Sequence, residues 1–526
     1  MRLSSIPPVA ASLIAITGNI LHLAPVSRAW KAHAPSNVVF FPPTLTKHDL
    51  LIQIGLLSPS AMIVGDQAID ADVIAQWRIS HPFGDLHLIR RGTSLDKVRL
   101  DLCDSNDIRV VNTPGVNAPH VAAYMARWLT LADGSLPRDV CVLGYGNVGR
   151  ELVKLLLDQD PDVRIKVLDR HAQGPDTLGK ARSDSRVSFG VDLFGALDGA
   201  SAVAICLSLN DESTHRIDRA LIQCLHRQAR LVCVAKPDVF SDDALRALAT
   251  AEDIQLVLDY GPGTLDAFRV RVEALGCSVS KWRKPATLTT QAAMTEACHC
   301  DLDYAVSIQL SLTALRCLVR RKLAHSLMIP AQQADAGAPR VSIIGRGING
   351  LLQAVMFRLA NYQVSVYGGN QQSDGASLSA AEKTAKPLSN EYLTPGNQYL
   401  AVECNRAGIE LFEKFLADNP SIDASGDDLG FAHLKDEIVT LLQRSGVQFM
   451  PQHLSPTQIA DMSREQFVVT PMGAGETDGL SIVYCSAYNR VAAGGTYAGG
   501  TTQGLVWASL VQEIIQAKAS AVSALY

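Results

Sequence analysis

Two glycine-rich segments, about two hundred residues apart, have the spacing of nucleotide-binding turns. In the first, VCVLGYGNVGREL, an apolar strand leads into Gly144, Gly146 and Gly149 and then a helix, with Asn147 and Val148 inside the turn. Gly144 would make the turn, Gly146 would let the backbone approach phosphates, and Gly149 would let the helix pack on the strand. The free amides and dipole of that helix would then hold a pyrophosphate.

A carboxylate follows at the distance expected for a ribose contact. The segment RIKVLD is predicted to be the next strand, and it ends at Asp169, about 25 residues after Gly144. A carboxylate in this place accepts hydrogen bonds from the ribose hydroxyls and repels a 2′-phosphate. The first segment therefore predicts a dinucleotide site with NAD rather than NADP as the cofactor, a preference that the neighbouring Arg170 would soften.

The second glycine segment, RVSIIGRGINGLL, repeats the pattern in a weaker context. Gly345, Gly347 and Gly350 have the same spacing, but the strand that follows, QVSVYGG, offers Gly368 where the carboxylate should be. Two interpretations stay open. The segment binds a second nucleotide, for which FAD is the candidate, or it belongs to a Rossmann-like domain that has lost its ligand.

Other chemically active residues have less informative surroundings. Cys298 and Cys300 lack the C-x-x-C spacing of a zinc or redox site, and His299 between them would point elsewhere on a helix, so we expect no metal site. His120 opens a predicted helix and His215 lies in a predicted loop. Both contexts are more typical of partly exposed imidazoles than of catalytic ones.

Composition excludes several classes of partner. The chain has 526 residues, enough for roughly three or four domains, with a net charge of -5 and a pI near 6.2. Because no basic face is indicated, we expect no nucleic acid and no membrane as partners, and a small-molecule substrate instead. Eleven scattered cysteines are typical of buried thiols in a reducing compartment, so we expect a cytoplasmic location.

The apolar stretch SIPPVAASLIAITGNILHLAP near the amino terminus loosely resembles a signal sequence. Pro7, Pro8, Asn19 and His22 interrupt it. These breaks argue against a secretory leader and against a spanning helix, which needs about 20 apolar residues. We expect the stretch to lead into the first strand of the fold.

Short Val/Ile/Leu runs alternate with helical stretches along the chain, which predicts an α/β protein with Rossmann-like doubly wound parallel sheets. Residues 1–137 are predicted to form a flavodoxin-like substrate domain, to which part of 294–326 returns as a helix. Residues 138–293 form a nucleotide-binding Rossmann domain. The segment 327–339, rich in Ala, Gln, Gly and Pro, is predicted to be a linker, and 340–526 a second Rossmann-like domain.

The run from about residue 19 to 320 resembles the D-isomer-specific 2-hydroxyacid dehydrogenases in the order and spacing of its motifs. RRGTSLDKVRLD looks like the family's carboxylate-binding loop, which implies substrate contacts by Thr93 and Ser94. VVNTPGVNAPHVAAY looks like its interdomain hinge, which implies a substrate contact by Asn117, and LGYGNVGREL with VLDR looks like its NAD site. In IQLVLDYG, the resemblance implies that Asp259 hydrogen-bonds the nicotinamide carboxamide. It also implies a homodimer.

The catalytic positions of that family are changed here. Its substrate-binding arginine aligns with Lys236, its glutamate falls in GPGT, which has no carboxylate, and its histidine aligns with Gln291. A lysine keeps the positive charge but loses the bidentate fork. A glutamine donates hydrogen bonds but cannot give up a proton at working pH. We therefore expect Lys236 to meet the substrate carboxylate and Gln291 to contact the reacting oxygen or nitrogen without titrating.

Three interpretations of this change stay open. The domain transfers hydride with a different acid, for which Lys236 is the candidate, in a reaction on a small 2-oxo or 2-hydroxy acid. Alternatively it reduces an amino-acid-derived imine in its iminium form, whose carbon is already activated, so that hydride delivery needs no added proton donor. The third interpretation is a catalytically silent scaffold or redox sensor that binds the dinucleotide.

Beyond the linker, VSIIGRGINGLLQAVMFRLANYQVSVYGG looks like the amino-terminal FAD motif of the D-amino-acid oxidase class. DGASLSAA resembles the loop that reaches the flavin in such enzymes, and GGTYAGGTTQGLVWASLVQEII resembles their closing turn and helix. The resemblance implies a shortened FAD-binding domain and a bifunctional oxidoreductase, in which a flavin could produce an imine and NADH could consume one.

Overall fold

Three parallel β-sheets with helices packed on them make up the described part of the chain in the computed structural model. All the strand pairings between named strands there are parallel. The predicted α/β class with Rossmann-like sheets is therefore confirmed. The structure describes residues 18–34, 37–131, 133–168, 184–190, 192–251, 253–278, 286–368, 407, 410–422, 430–451, 454, 458, 461–462 and 467–469.

The first sheet is built from short apolar strands, of which the central ones are buried on both faces. Its elements are β1 (Ile20–His22), α1 (Arg28–His33), β2 (Val38–Phe40), α2 (Lys47–Leu57), β3 (Ala61–Val64), α3 (Ala71–Ser80), β4 (Leu86–Arg90), α4 (Leu100–Ser105) and β5 (Ile108–Asn112). The strand order is β2-β1-β3-β4-β5. The strands predicted in ILHLA, NVVFF, AMIVG and LHLIRRG are confirmed, whereas β5 was missed.

The second sheet carries the first glycine segment. Its strand order is β12-β11-β10-β9-β6-β7-β8. Strands β7 and β8 are added on one side of β6 and strands β9 to β12 on the other, so the order in which strands are added reverses between β6 and β9. Ligands of such sheets bind in the crevice at the carboxyl ends of the strands beside that reversal. The elements are α5 (Ala118–Leu129), β6 (Asp139–Leu143), α6 (Asn147–Gln159), β7 (Arg164–Leu168), β8 (Val187–Gly190), α7 (Leu193–Leu197), β9 (Ala202–Ile205), α8 (Arg219–Cys224), β10 (Arg230–Cys233), α9 (Asp242–Thr250), β11 (Gln255–Asp259), α10 (Pro262–Ala274) and β12 (Thr287–Thr289).

A long helix, α11 (Glu296–Leu323), leaves the second sheet and packs on the first. Buried polar contacts fix it there. Asp303 accepts from the Ser27 amide at 2.7 Å and from Arg91 Nε at 2.9 Å, and Ser307 Oγ accepts from Trp30 Nε1 at 2.7 Å. Because these buried groups are paired, their hydrogen bonds offset the cost of burying them, and they align the helix on the first sheet.

Among the described residues, α11 is the helix with the length and hydropathy needed to cross a bilayer. In the protein, 76% of its most apolar 18-residue stretch is buried. The core helix of a water-soluble protein meets the same criteria, so this observation is weak support for a membrane partner. The expected absence of a membrane partner stays a prediction.

The third sheet contains the second glycine segment. Its elements are β13 (Arg340–Ile344), α12 (Ile348–Leu359), β14 (Gln363–Tyr367), α13 (Gly430–Arg444), β15 (Gln448–Met450) and β16 (Phe467–Val469), in the strand order β15-β14-β13-β16. The helices predicted in AGIELFEKFLA and LKDEIVTLLQRSG are confirmed at 410–418 and in α13. The segments DGASLSAA and GGTYAGGTTQGLVWASLVQEII lie outside the described residues.

The segment 327–339, which precedes the third sheet, has no regular secondary structure, but its start is bound to the domain that follows. The Leu327 amide donates to Asp418 Oδ2 at 2.6 Å, and the Ile329 amide donates to Asn419 Oδ1 at 2.9 Å. Both Leu327 and Ile329 are buried in the core of the third sheet's domain. The start of the predicted linker 327–339 therefore packs as part of that domain.

Candidate functional site

The first glycine turn has a separate steric reason for each glycine. Gly144 has a φ of +96°, and a Cβ there would lie 3.0 Å from the Cys206 carbonyl oxygen. A Cβ at Gly149 would lie 2.0 Å from the Gly144 carbonyl oxygen, so only glycine lets α6 pack this closely on β6. Gly146 is the N-cap of α6, and a Cβ there would meet nothing within 4 Å. Open space therefore faces the amides at the start of α6, where a pyrophosphate fits.

The predicted ribose contact lies at the end of the neighbouring strand. The Gly144 amide donates to the Leu168 carbonyl oxygen at 2.9 Å, which fixes the end of β7 beside the glycine turn. Asp169 follows Leu168 directly, but it lies outside the described residues, as does Arg170. The choice of NAD over NADP therefore stays a prediction.

The predicted carboxylate-binding loop and the hinge lie against the glycine turn. Asn112 Nδ2 donates to the Thr93 carbonyl oxygen at 2.7 Å, and the Gly115 amide donates to Thr93 Oγ1 at 3.5 Å. A Cβ on Gly115 would lie 3.0 Å from the side-chain amide of Asn147. The loops after β4 and β5 thus lie against the start of α6.

Lys236 reaches the predicted carboxylate-binding loop from the other side. It follows β10, and its ammonium group forms an ion pair with Asp96 Oδ2. Ser94 Oγ accepts from the Asp96 amide at 3.3 Å. The hydrogen bond from Lys236, followed by that from Ser94, lowers the pKa of Asp96. The structure therefore brings Ser94 and Lys236 together. The Asp96 carboxylate lies where we predicted that the substrate carboxylate binds.

Asp259 holds the turn that contains Gln291. Its Oδ1 accepts from the Gln291 amide at 2.7 Å and from the Thr289 hydroxyl, and its Oδ2 accepts from the Ala292 amide at 3.1 Å. The Thr289 hydroxyl in turn contacts the Tyr124 hydroxyl. Because a carboxylate has about four acceptor positions, Asp259 has one position left for a carboxamide. Its main contacts position Gln291, whose side chain is exposed.

One family model matches part of the chain: residues 133–262 match the D-isomer specific 2-hydroxyacid dehydrogenase, NAD binding domain. The described part of 133–262 therefore corresponds to the NAD-binding domain of that family. The resemblance found in the sequence is thus confirmed for this domain. Among curated proteins, none matches the chain.

Several solved structures are similar to this chain. The NAD⁺-bound 3-phosphoglycerate dehydrogenase of Entamoeba histolytica is 17% identical, with a TM-score of 0.44, over 56% of this chain and 94% of that one. The pyruvate reductase of Chlamydomonas reinhardtii is 16% identical, with a TM-score of 0.45, over 58% and 98%. An acyclic imino acid reductase in complex with NADPH and D-Arg is 13% identical, with a TM-score of 0.42, over 56% and 97%.

A histidine–carboxylate pair beside the NAD-binding domain escaped the sequence analysis. His120 Nε2, on α5, lies 2.7 Å from Asp301 Oδ2, on α11. His120 stands one helical turn before Tyr124, whose hydroxyl contacts Thr289 in the turn that carries Gln291. Only the helical spacing of His120 and Tyr124 was visible in the sequence, because Asp301 is 181 residues away. Asn117, the N-cap of α5, makes no side-chain capping bond and is half-buried.

The second glycine turn repeats the geometry of the first. Gly345 has a φ of +126°, a Cβ at Gly350 would lie 2.0 Å from the Gly345 carbonyl oxygen, and a Cβ at Gly347 would meet nothing within 4 Å. At Gly368, a Cβ would lie 3.2 Å from Arg346 Cβ. The turn therefore has room for a phosphate, but the end of β14 lacks a ribose carboxylate.

Proposed function

We propose that the chain is an NAD-dependent oxidoreductase that acts on a small 2-oxo or 2-hydroxy acid, or on an amino-acid-derived imine. The observation that supports it is that Lys236, the Thr93–Ser94 loop and the start of α6 lie near the carboxyl ends of the second sheet's strands, in a chain with an NAD-binding domain. When bound, NAD supplies or accepts a hydride. Gly144, Gly146 and Gly149 would hold its pyrophosphate against α6, and Asp169 its ribose.

The substrate carboxylate would bind Lys236 and the Thr93–Ser94 loop. Lys236 is 52% exposed and Asp96 is 56% exposed, so their ion pair is worth only about 0–1 kcal/mol. A substrate carboxylate can replace Asp96 at Lys236 because it offers the same charge and the same acceptor atoms. Lys236 binds as a point charge, so the loop hydroxyls would set the orientation of the carboxylate.

For reduction of a 2-oxo acid, we propose His120 as the proton donor. Asp301 faces Nε2, so in the neutral imidazole Nε2 carries a proton donated to Asp301, and Nδ1 keeps a lone pair that can take and return a proton. Asp301 would also stabilise the charged imidazolium. An iminium substrate already carries its proton, so this route needs Lys236 and Gln291 for binding only.

The experiment is an assay of the purified full chain with NADH against a panel of 2-oxo acids and preformed imines. Lys236→Ala should lower kcat/KM by about 10- to 100-fold, because one charge-assisted hydrogen bond is worth about 1.5–3 kcal/mol, and should leave NADH affinity unchanged. Lys97→Ala is the matched control, since Lys97 pairs with the exposed Asp66 at 3.3 Å. NADH binding with no turnover on either substrate class would contradict the proposal.

A catalytically silent dinucleotide-binding scaffold or redox sensor is the second candidate. It is favoured by the pairing of Lys236 with Asp96, which leaves the lysine charge compensated within the protein. It is also favoured by Gln291, which cannot transfer a proton. Under this alternative, Lys236→Ala changes neither NADH affinity nor any turnover.

For the second glycine turn, we propose binding of FAD. The support is the open position at Gly347 and the close approach of Gly350 to Gly345, which match the first turn. Gly368 and Arg346 offer no carboxylate for the ribose, so we expect weak binding. The visible absorbance and the mass of the cofactors that co-purify with the full chain test this directly, and a colourless protein that binds no added FAD would contradict it. A homodimer and a cytoplasmic location also stay proposals.

A further inference from the structure

We infer a zinc-binding site formed by Asp85, His87 and Cys317, far from the crevice and independent of the proposed oxidoreductase activity. One ligand atom of each residue lies within 4.8 Å of the other two. Cys317 Sγ lies 3.9 Å from His87 Nε2. Sequence spacing predicted no metal site, because Cys317 is 230 residues from His87.

The elements explain why these three side chains meet. Asp85 directly precedes β4, and His87 is the second residue of that strand. Residues two apart on a strand point to the same face of the sheet. Cys317 lies in the carboxyl-terminal part of α11, which packs on that face. The donor set therefore combines two residues of the first sheet with one residue of the returning helix.

The donor atoms match zinc better than magnesium or calcium. Zinc accepts thiolate, imidazole and carboxylate ligands in a tetrahedral arrangement, whereas magnesium and calcium prefer oxygen ligands alone. With zinc–sulfur and zinc–nitrogen bonds of about 2.3 and 2.0 Å, tetrahedral geometry requires a sulfur–nitrogen separation of roughly 3.5 Å. A contraction of about 0.4 Å from the observed separation satisfies this. The chain supplies three ligands, so a water would complete the tetrahedron.

Protonation states at the site are compatible with metal binding. Burial lowers the pKa of His87 to about 4, so the imidazole is neutral near pH 7 and can act as a ligand. Burial, followed by the charge of Asp85, raises the pKa of Cys317, so the free thiol is protonated. Zinc binding must therefore release the thiol proton, which makes the affinity dependent on pH.

Arg320 contacts the Asp85 carboxylate and would hold it in position for the metal. Its Nη1 contacts Asp85 Oδ2, which leaves Oδ1 available, and ligating carboxylates are commonly hydrogen-bonded in this way. The neighbouring cavity of about 690 Å³ has both signs of charge on its lining. Its charged side chains are Asp85, Asp101, Asp104, Asp107, Arg109, Arg316 and Arg320. Water and the metal could reach the site through this cavity.

The site lies at the opposite end of the first sheet from the crevice. His87 is near the start of β4, and the Thr93–Ser94 loop follows its end. Along α11, Cys317 is 16 residues from Asp301, which corresponds to about 24 Å. The metal would therefore join α11 to the first sheet and would not take part in hydride transfer.

A cobalt titration of the metal-stripped full chain tests the site, since Co²⁺ replaces Zn²⁺ and reports thiolate ligation by its charge-transfer absorbance. We expect one equivalent of Co²⁺ with a thiolate band and tetrahedral visible bands, displaced by Zn²⁺. Cys317→Ser should remove the thiolate band and weaken Zn²⁺ binding by at least about 100-fold. Cys300→Ser, a half-buried cysteine on the same helix, is the matched control and should change neither.

A second measurement on the unmodified protein keeps the test independent of how the variant folds. Zinc should protect Cys317 from alkylation, read by peptide mass spectrometry, while Cys300 is alkylated at the same rate with and without zinc. No thiolate band, or equal alkylation of Cys317 in both conditions, would overturn the proposal. The contact would then be a hydrogen bond from the Cys317 thiol to the His87 imidazole only.

Discussion

Lys236 and Asp96 form an ion pair that joins the NAD-binding domain to the loop after β4. The two residues are 140 positions apart in sequence, and both side chains are about half-exposed. Asp96 is therefore bound to Lys236, the residue that we expect to bind the substrate carboxylate. Asp96 would therefore compete with the substrate carboxylate for Lys236.

Removing this competitor should tighten substrate binding. In Asp96→Asn, Lys236 loses its carboxylate partner, so we expect KM for a carboxylate substrate to fall by up to about fivefold, because an exposed pair is worth about 0–1 kcal/mol. Steady-state kinetics measures this. Asp66→Asn, which removes the partner of Lys97, should leave KM unchanged. An unchanged or higher KM in Asp96→Asn would show that Asp96 does not compete.

The glycine turn allows a charge test that leaves the fold intact. A Cβ at Gly146 would meet no atom within 4 Å, and an aspartate at a helix N-cap stabilises the helix. In Gly146→Asp, the added carboxylate would repel the pyrophosphate, so we expect NADH to bind at least tenfold more weakly, or about 1.4 kcal/mol. Calorimetric titration with NADH checks it.

Gly347→Asp is the matched control, because the same open position recurs in the second turn. It should leave NADH affinity unchanged and weaken FAD binding. If Gly347→Asp and Gly146→Asp lowered NADH affinity equally, the nucleotide would not be bound at the first turn alone.

Local features of the site were predictable from sequence, and contacts over long sequence distances were not. The positions of Gly144, Gly146 and Gly149 follow from a turn that spans six residues, so their spacing was sufficient. The roles of Asp259 and His120 depend on partners 32 and 181 residues away, which no spacing rule reaches.

Strand β5 was missed for a local reason. VVNTPG contains strong turn signals, and they obscured the short apolar run before them. The metal-ligand cluster was missed for the same reason as the His120 pair, since its third member lies on α11. The second glycine turn was predicted correctly as a turn, but the residues that would decide on FAD lie outside those that the structure describes.

Substitution of His120 separates the two proposed reactions. In His120→Gln, reduction of 2-oxo acids should fall by about 100-fold, because general acid catalysis contributes at least that much. Reduction of a preformed iminium should change little. His215→Gln, at an exposed loop histidine, is the control.

Equal losses with both substrates in His120→Gln, together with weaker NADH binding, would show that His120 supports the structure rather than transferring a proton. Asp301→Asn adds a further readout. It should lower the 2-oxo acid rate less than His120→Gln does, because the imidazole is still present and only its carboxylate partner is lost.

His22 should make the protein sensitive to mild acid. It lies at the end of β1 between the rings of Trp30 and Phe40, with centroid distances of 5.2 and 5.1 Å. Burial, followed by the charge of Arg91, lowers its pKa from 6.5 to about 3. Between these two pH values the unfolded chain binds one more proton than the folded protein, so the free energy of unfolding falls as pH falls, by about 1.4 kcal/mol per pH unit.

In His22→Leu this contribution is absent, so the free energy of unfolding should fall less steeply with acid. The difference in unfolding free energy between pH 7 and pH 5 should be smaller than in the unmodified protein by about 2 kcal/mol. Urea unfolding followed by circular dichroism at several pH values measures it. His48→Leu, on the surface of α2, should retain the full acid dependence. Equal slopes for His22→Leu and the unmodified chain would mean that His22 is already charged in the folded protein.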